Sequence, residues 1–518
     1  MSAKKHFSNI NQLKAGAFLS FFQMALGSVV VLFYTPVMIR ELGKSEYGLY
    51  NTVASTISML SVLNLGLSSG YIRFYTRYHQ KKDYDSIYRL NGLFILIFTA
   101  IGCIAFLCGI FLSNNLELVF SDGLTRAEYS KAHILMLLMS VNLAITFPMS
   151  AFTSIISAHE KYIILKLLEM FNNVFGPFIT FPLLLMGYDS IAMVLVSLCV
   201  AIFTDIIYIF YVFYFLRQKF YFRGLKSSVF KSLFSYTIFI AVNLIIDQIN
   251  WNVDKLLLGR FRGTAEVAIY SAGFTLYSYY QLISIAVSSV FTPRIHKIVS
   301  GTQDASADMK RLLTDLFIKV GRIQFLILGL ASTGILFFGK IFIIKYWAGS
   351  GYDSAYYVTL LLIFPASIAL IQNLGIEIQR AQNLHRFRSY VYSAMALINL
   401  VLSVFLCQKY GPVGSAFGTA VSLILANGIV MNIYYHKKCN LDIVMFWKNI
   451  ILMTKGLILP VISGIVITKF FKMTNITTFL CGIILYTLCY LISVWFLSMN
   501  SAEKNLVIKP LKRIVRRI

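Results

Sequence analysis

The stretch Ala241-Val242-Asn243-Leu244-Ile245-Ile246-Asp247-Gln248-Ile249-Asn250-Trp251-Asn252-Val253-Asp254-Lys255 lies inside a long apolar run, yet it carries polar residues at helical spacing. Asn243, Asp247, Asn250 and Asp254 recur at steps of four, three and four, which puts them on one face of a helix. Gln248, Asn252 and Lys255 form a second line beside it. A carboxylate at membrane depth costs about 2.5–3.5 kcal/mol, while each Leu or Ile returns only about 0.3–0.6 kcal/mol. Such a face cannot be turned to lipid and is expected to line a protein cavity. If the helix ended near Trp251, Asp254 and Lys255 would fall in an external loop, but Asp247 would stay in the membrane under either boundary.

The rest of the chain places this helix in a bilayer. Of 518 residues, 58% are hydrophobic and 13% charged, and the mean hydropathy of +0.74 exceeds what a soluble core needs. Apolar runs able to cross about 30 Å of hydrocarbon occur at 16–38, 49–70, 92–112, 132–155, 162–186, 191–216, 234–259, 266–290, 314–338, 355–376, 389–407, 414–435, 449–468 and 478–498. The expected fold class is therefore all-α, a polytopic membrane protein of about 14 transmembrane helices. An even number of crossings leaves both termini on one side. The segments on that side hold 33 Lys and Arg against 12 on the other, so the positive-inside rule makes both termini cytoplasmic. The net charge of +25 is mostly this topology signal. Because the basic residues are divided among short loops, no nucleic-acid partner is expected. The first apolar run has no cleavage pattern and reads as a retained helix.

The chain also resembles itself. A shift of 220 superimposes Arg40, Gly43, Glu46, Tyr50 and Ser68-Ser69 on Arg260, Gly263, Glu266, Tyr270 and Ser288-Ser289. Near-equal shifts align Phe147-Pro148 with Phe364-Pro365 and Val196-Ser197-Leu198 with Val421-Ser422-Leu423. This predicts two parallel six-helix lobes around a central cavity, with two extra C-terminal helices: 1–226, 227–440 and 441–518.

Further candidates for the cavity follow from this frame. Tyr270, Tyr277, Gln281, Ser284 and Ser288 share a face of the eighth span. An aromatic ring beside amides and hydroxyls suits a sugar, although the same pattern also packs helix on helix. In the first lobe, Gln23 matches Asn243, and Ser61, Asn64 and Ser68 match the eighth span's face. Arg73 and Arg294 end spans 2 and 8 at nearly equivalent places, suited to an anionic headgroup at a cytoplasmic entrance or to anchoring in lipid headgroups. Glu169 has Lys166 one turn away as a local partner, and Asp205, Glu377, Arg380 and Lys455 are further charges within apolar runs.

Enzyme chemistry finds no foothold. Gly43-Lys44-Ser45 lacks the first glycine of a phosphate loop, since residue 38 is Met. The seven histidines are scattered without metal-ligand spacing, and the seven cysteines read as small apolar residues rather than a disulfide or metal framework. Neither a metal nor a cofactor is expected, and any energy source is a gradient, of H+ or Na+, or the substrate itself.

Leu42-Gly43-Lys44-Ser45-Glu46-Tyr47-Gly48-Leu49-Tyr50, Asn64-Leu65-Gly66-Leu67, Asn252-Val253-Asp254-Lys255 and Tyr410-Gly411-Pro412-Val413-Gly414-Ser415-Ala416 together resemble the bacterial polysaccharide flippase family, the Wzx-type O-antigen exporters. The resemblance covers almost the whole chain. It implies a transporter of the multidrug/oligosaccharidyl-lipid/polysaccharide exporter superfamily in the bacterial cytoplasmic membrane. Such a protein moves an undecaprenyl-pyrophosphate-linked oligosaccharide to the outer leaflet for cell-surface polysaccharide, with membrane lipids, a polysaccharide polymerase and glycosyltransferases as partners. In that role Asn243, Asp247, Asn250, Asp254, Tyr277, Gln281, Ser284, Gln23 and Asn64 would line the cavity, Arg73 and Arg294 would meet the headgroup, and Asp247 and Asp254 could couple an ion. Two alternatives stay open. Fourteen spans also suit a lipid II-type flippase, although the arginines such flippases place deep in the first lobe lie here only beyond span ends, as Arg40 and Arg73. A cation-coupled multidrug carrier usually stops at twelve spans.

Overall fold

The computed structural model describes residues 2–120, 124–223, 227–301, 307–471, 473–506 and 508. Within them the chain is helical throughout, with no strand. Lipid offers no hydrogen bonds to a bare backbone, and a helix satisfies its own.

In chain order the helices are α1 (Ser2–Met59), α2 (Leu67–Gln80), α3 (Tyr84–Asn114), α4 (Arg126–Ala158), α5 (Tyr162–Leu185), α6 (Ser190–Phe210), α7 (Ser227–Phe261), α8 (Thr264–Ser289), α9 (Thr292–Gly301), α10 (Ala307–Ile341), α11 (Asp353–Ile371), α12 (Leu374–Ala381), α13 (His385–Leu423), α14 (Met431–Lys437), α15 (Ile443–Met453), α16 (Ile458–Phe470) and α17 (Ile476–Leu497). Ten helical stretches are long and apolar enough to cross a membrane, and an eleventh is the pair Thr264–Ser289 and Thr292–Ser300, bent by 41°. Two of the ten contain a break: α1 at Gly43 (φ 70°, ψ 174°) and α13 at Gly411 (φ 58°, ψ −137°). Each therefore supplies two crossings. With α7, a 35-residue helix over the expected seventh span, the helices are consistent with about fourteen crossings.

The junctions differ from a hydropathy reading. Spans 1 and 2 are joined at a single glycine rather than a loop, because only glycine takes that positive φ without strain. Gly263, the partner of Gly43 at the 220 shift, also has a positive φ, 89°, at the α7–α8 turn. The second span is itself interrupted. A 3-10 turn, Leu60–Asn64, is followed by Leu65 (φ 50°) and Gly66 (φ 70°) before α2 begins. The thirteenth span is bent by the 3-10 turn Thr454–Leu457 between α15 and α16.

Backbone packing divides the chain into two compact units, Met1–Ser271 and Ala272–Ile518. The lobes 1–226 and 227–440 are those expected from the internal sequence matches; compactness instead groups α7 with the first six spans, because α7 lies along α1 and the second span. A Cβ on Gly66 would overlap Ile240, one on Gly70 would overlap Leu233, and one on Gly259 would stand 2.8 Å from Thr52. Small residues at these points let the helices approach, the means of helix association where lipid removes the hydrophobic drive. Within this unit Tyr71, Phe94, Phe98, Phe147 and Ile155 form a buried core. The second unit has its own, around Phe338, Phe479 and Tyr486. Phe33, Phe178, Phe405 and Phe496 are among the most exposed side chains, as a lipid-facing surface requires.

Candidate functional site

The α7 stripe is helical throughout. The helix runs past Trp251 to Phe261, so Asp254 and Lys255 belong to it and not to an external loop. Its four members nonetheless have different surroundings. Asn243 and Asp247 are exposed, Asn250 is half-buried, and Asp254 is buried at 3% exposure. Asp254 accepts a hydrogen bond from the Tyr270 hydroxyl at 2.7 Å, across the α7–α8 turn. The second polar line is engaged with the broken span. Gln248 donates to Ser61 Oγ at 3.0 Å and accepts from Asn252 at 2.6 Å. Asn64, half-buried, ends the 3-10 turn that begins one residue before Ser61.

That interruption is a feature the sequence did not disclose as structure, although Asn64-Leu65-Gly66-Leu67 stood out as a motif. Non-helical backbone at membrane depth persists where protein or a polar cavity covers it. Here α7 covers it, through Ile240 against Gly66 and Gln248 against Ser61.

Gln23 meets a charged pair. Its amide donates to Glu169 Oε2 at 3.1 Å, and Lys166 Nζ reaches the same oxygen at 2.6 Å. The local Lys166–Glu169 partnership expected from spacing is thus formed, with Gln23 of α1 as a third member. Nearby on α5 and α6, Asn172 donates to Thr204 Oγ1 at 3.1 Å, and the neighbouring Asp205 is half-buried.

In the second unit the face of α8 turns inward. Ser284 is fully buried, bonded to Leu370 O at 2.9 Å and Gln324 at 3.2 Å, and Gln324 donates to Ser288 at 2.6 Å. Tyr280, not singled out by the sequence, bonds Ser367 at 2.6 Å. Ser284 and Ser288 therefore tie α8 to α10 and α11, the helix-packing reading of that face. Tyr277 is buried at 6% exposure and accepts from Gln281 at 2.5 Å; Gln281 is half-buried. Arg73 and Arg294 are exposed, and each sits on a short helix beyond a break, α2 and α9 respectively. Glu377 and Arg380 pair on α12 at 2.7 Å, and Lys455 is exposed in its 3-10 turn.

The end of the first unit that carries Gly43 is laced by charge. Lys131 bridges Glu46 at 2.8 Å and Asp189 at 3.0 Å, and Glu46 accepts from both the backbone and the hydroxyl of Ser190 at 2.8 Å. Ser45 bonds Glu128 and, at 2.9 Å, Thr264, while Arg260 donates to the carbonyls of Glu117 and Leu118. Gly48 packs so closely that a Cβ would overlap the Thr264 carbonyl; Ala268, the repeat partner of Gly48, is beside it. Sequence reasoning counted Lys131 and Arg260 for topology but had no signal that four separate junctions meet.

Chemically, the stripe offers amides and a carboxylate at helical intervals, partners for hydroxyls or a small cation, without a nucleophile and base in catalytic geometry. No group of His, Cys, Asp and Glu able to hold a metal occurs among the described residues.

Comparison with known proteins agrees with this picture. The family model for "polysaccharide biosynthesis protein" matches residues 13–299. A Shigella flexneri protein described as "Putative O-antigen transporter" is 22% identical over 435 residues, spanning 81% of this chain and 96% of that relative. Among solved structures, the lipid II flippase MurJ in an inward closed conformation superimposes with a TM-score of 0.69 at 17% identity, covering 96% of this chain and 99% of that one. An inward-facing multidrug resistance MATE family transporter of the MOP superfamily gives a TM-score of 0.63 at 11% identity, covering 85% and 99%. The fold is the one these transporters share. The chain belongs to the polysaccharide biosynthesis protein family, and its long apolar helices are those of a multi-pass membrane protein.

Proposed function

We propose that this protein translocates an oligosaccharide linked to undecaprenyl pyrophosphate from the cytoplasmic to the outer leaflet of the bacterial cytoplasmic membrane, with both termini cytoplasmic. Family membership and the description of the Shigella flexneri relative support the substrate class. The observation that carries the reading is the exposed pair Asn243 and Asp247 in the middle of a membrane helix, followed by half-buried Asn250. A hydroxyl-rich headgroup would occupy that face, while its isoprenoid tail stays in lipid.

Transport would proceed by alternating access. Gln23, Asn64, Tyr277 and Gln281 are proposed as further sugar contacts, and Arg73 and Arg294 as contacts for the pyrophosphate at the entrance. Of the two acids considered for H+ or Na+ coupling, Asp247 is the better candidate, since Asp254 is enclosed and hydrogen-bonded to Tyr270. An inside-negative potential also assists outward movement of an anion, by about 2.3 kcal/mol per charge per 100 mV. Ser284 is left out of the proposed lining, because both its observed bonds are to neighbouring helices.

The test is complementation. Asp247→Asn is expected to abolish rescue of a flippase-null strain while reaching wild-type levels in the membrane. Full rescue would remove Asp247 from the mechanism, and rescue of a lipid II flippase-deficient strain by the wild-type chain would shift the substrate to a peptidoglycan precursor.

A further inference from the structure

The segment after α6 is not a free linker. A π turn, Tyr211–Phe215, leads into an irregular run that is hydrogen-bonded to α3. Tyr221 N donates to Tyr88 O at 2.9 Å, and Asn91, fully buried, donates to Lys219 O at 3.1 Å while accepting from Tyr71 OH at 2.6 Å. Gly92 admits the segment: a Cβ there would overlap the Tyr221 carbonyl. Between this segment, α3 and α4 lies a cavity of about 520 Å³. Ile95, Phe152, Phe213, Phe220 and Phe222 make its wall, and Lys219 stands at it as a cation. Phe152, Phe213 and Phe220 pack on one another with ring centroids 5.2–6.2 Å apart, so the wall is fixed by its own aromatic contacts.

The surroundings state the charge of the occupant. Residues 206–223 contain Arg217, Lys219 and Arg223 and no acid, and all three cations are exposed. Asp85, in the first turn of α3, is paired with Arg89 at 2.8 Å, and Asp83, which caps that helix, accepts from Ser86. An apolar aromatic pocket with Lys219 in its lining, and exposed Arg217 and Arg223 within four residues of that lysine in the same segment, fits an amphiphile with an anionic head. The site lies on the α3–α4–α6 face of the first unit, whereas α7 packs on α1 and the second span. It is therefore separate from the polar stripe proposed for the cargo.

We propose that this cavity is a binding site for an anionic diacyl phospholipid of the surrounding bilayer, one acyl chain entering between Phe213 and Phe222 and the phosphate meeting Arg217, Lys219 and Arg223. The proposal goes beyond the transport reading and depends on it only for the leaflet, which is the cytoplasmic one in the orientation given above. Cations near a membrane surface each favour an anionic lipid about fivefold, so engagement of two gives more than an order of magnitude.

The experiment places a reporter at the wall. Phe222→Trp, purified into nanodiscs, is titrated with phosphatidylglycerol or phosphatidylcholine brominated on the acyl chain, and the quenching of the protein without that substitution is subtracted. Phosphatidylglycerol should quench at a mole fraction lower by about tenfold or more, a preference lost in R217Q/K219Q/R223Q and kept in R217K/R223K. Size-exclusion profile and thermal midpoint show that both variants are folded. Equal quenching by the two lipids, or a preference that survives the triple substitution, overturns the proposal. Relief of quenching by stoichiometric undecaprenyl phosphate also overturns it, by assigning the cavity to the carrier lipid. Because no transport is measured, failure of the flippase reading leaves this result standing.

Discussion

The polar faces of α7 and α8 read alike in sequence and end in different surroundings. Both repeat hydrogen-bonding side chains at steps of three and four over several turns. On α7, Asn243 and Asp247 are exposed; on α8, Ser284 and Ser288 are sealed against Gln324 and Leu370. The difference teaches that periodicity locates a polar face, while the partner that satisfies it is decided elsewhere in the chain. Gln324 lies 40 residues from Ser284, and Ser61 lies 187 from Gln248. An isolated apolar run carries no trace of such a partner.

The contrast can be broken or sharpened by substitution. The largest effect is expected from Asp247→Asn, which should reduce export at least about tenfold, the loss of one or more charge-assisted contacts, with unchanged protein in the membrane; glycan surface display and immunoblotting of the same cells measure both. Gly48→Val should come next. It forces a side chain into the Thr264 carbonyl and is expected to cost about 1–3 kcal/mol as overpacking, read as a lowered thermal midpoint in detergent. Tyr270→Phe removes a donor from the buried Asp254 carboxylate and should cost about 1.5–3 kcal/mol. Ser284→Ala should cost only about 1 kcal/mol and leave the transport rate per folded molecule intact. If Ser284→Ala impaired transport at unchanged stability, α8 would rejoin α7 as a lining face.

A smaller effect is expected from pH. His159, just past the end of α4, bonds the Ile155 carbonyl at 2.8 Å through Nδ1 and the Tyr75 hydroxyl at 3.0 Å through Nε2. Burial holds its pKa below the ordinary value, the Ile155 carbonyl works against that, and His79 and Lys161 add to the depression. With the folded pKa below the unfolded one, the unfolded chain binds the proton more readily. Stability is then full above about pH 6.5 and falls as pH drops through that value toward the folded pKa. His159→Gln should flatten this part of the midpoint-versus-pH curve, and an unchanged curve would assign the dependence to other groups.

Much of the fold was legible because hydropathy reports bilayer crossings directly, and the charge excess of the loops needs no tertiary knowledge. Gly43 and Gly263, which the 220 shift pairs, share a positive φ. The breaks were not legible. Leu60–Gly66 is apolar enough to pass as continuous helix, and only its backbone angles reveal the interruption. The junction of Glu46, Lys131, Asp189 and Ser190 was hidden for the same reason as Ser284: its members come from three separate stretches of chain. Asp254 shows the limit of spacing alone, since a perfect helical step placed it in the stripe, and the Tyr270 hydroxyl claims it.

Thiol labelling tests the account most directly. In a background with the seven native cysteines replaced, single cysteines at positions 243, 247 and 284 are exposed to a membrane-impermeant maleimide in right-side-out and inverted vesicles. The account predicts that 243 and 247 react from at least one side and that 284 stays protected from both. Labelling of 243 and 247 by lipophilic reagents alone, or labelling of 284 as fast as 247, would contradict it.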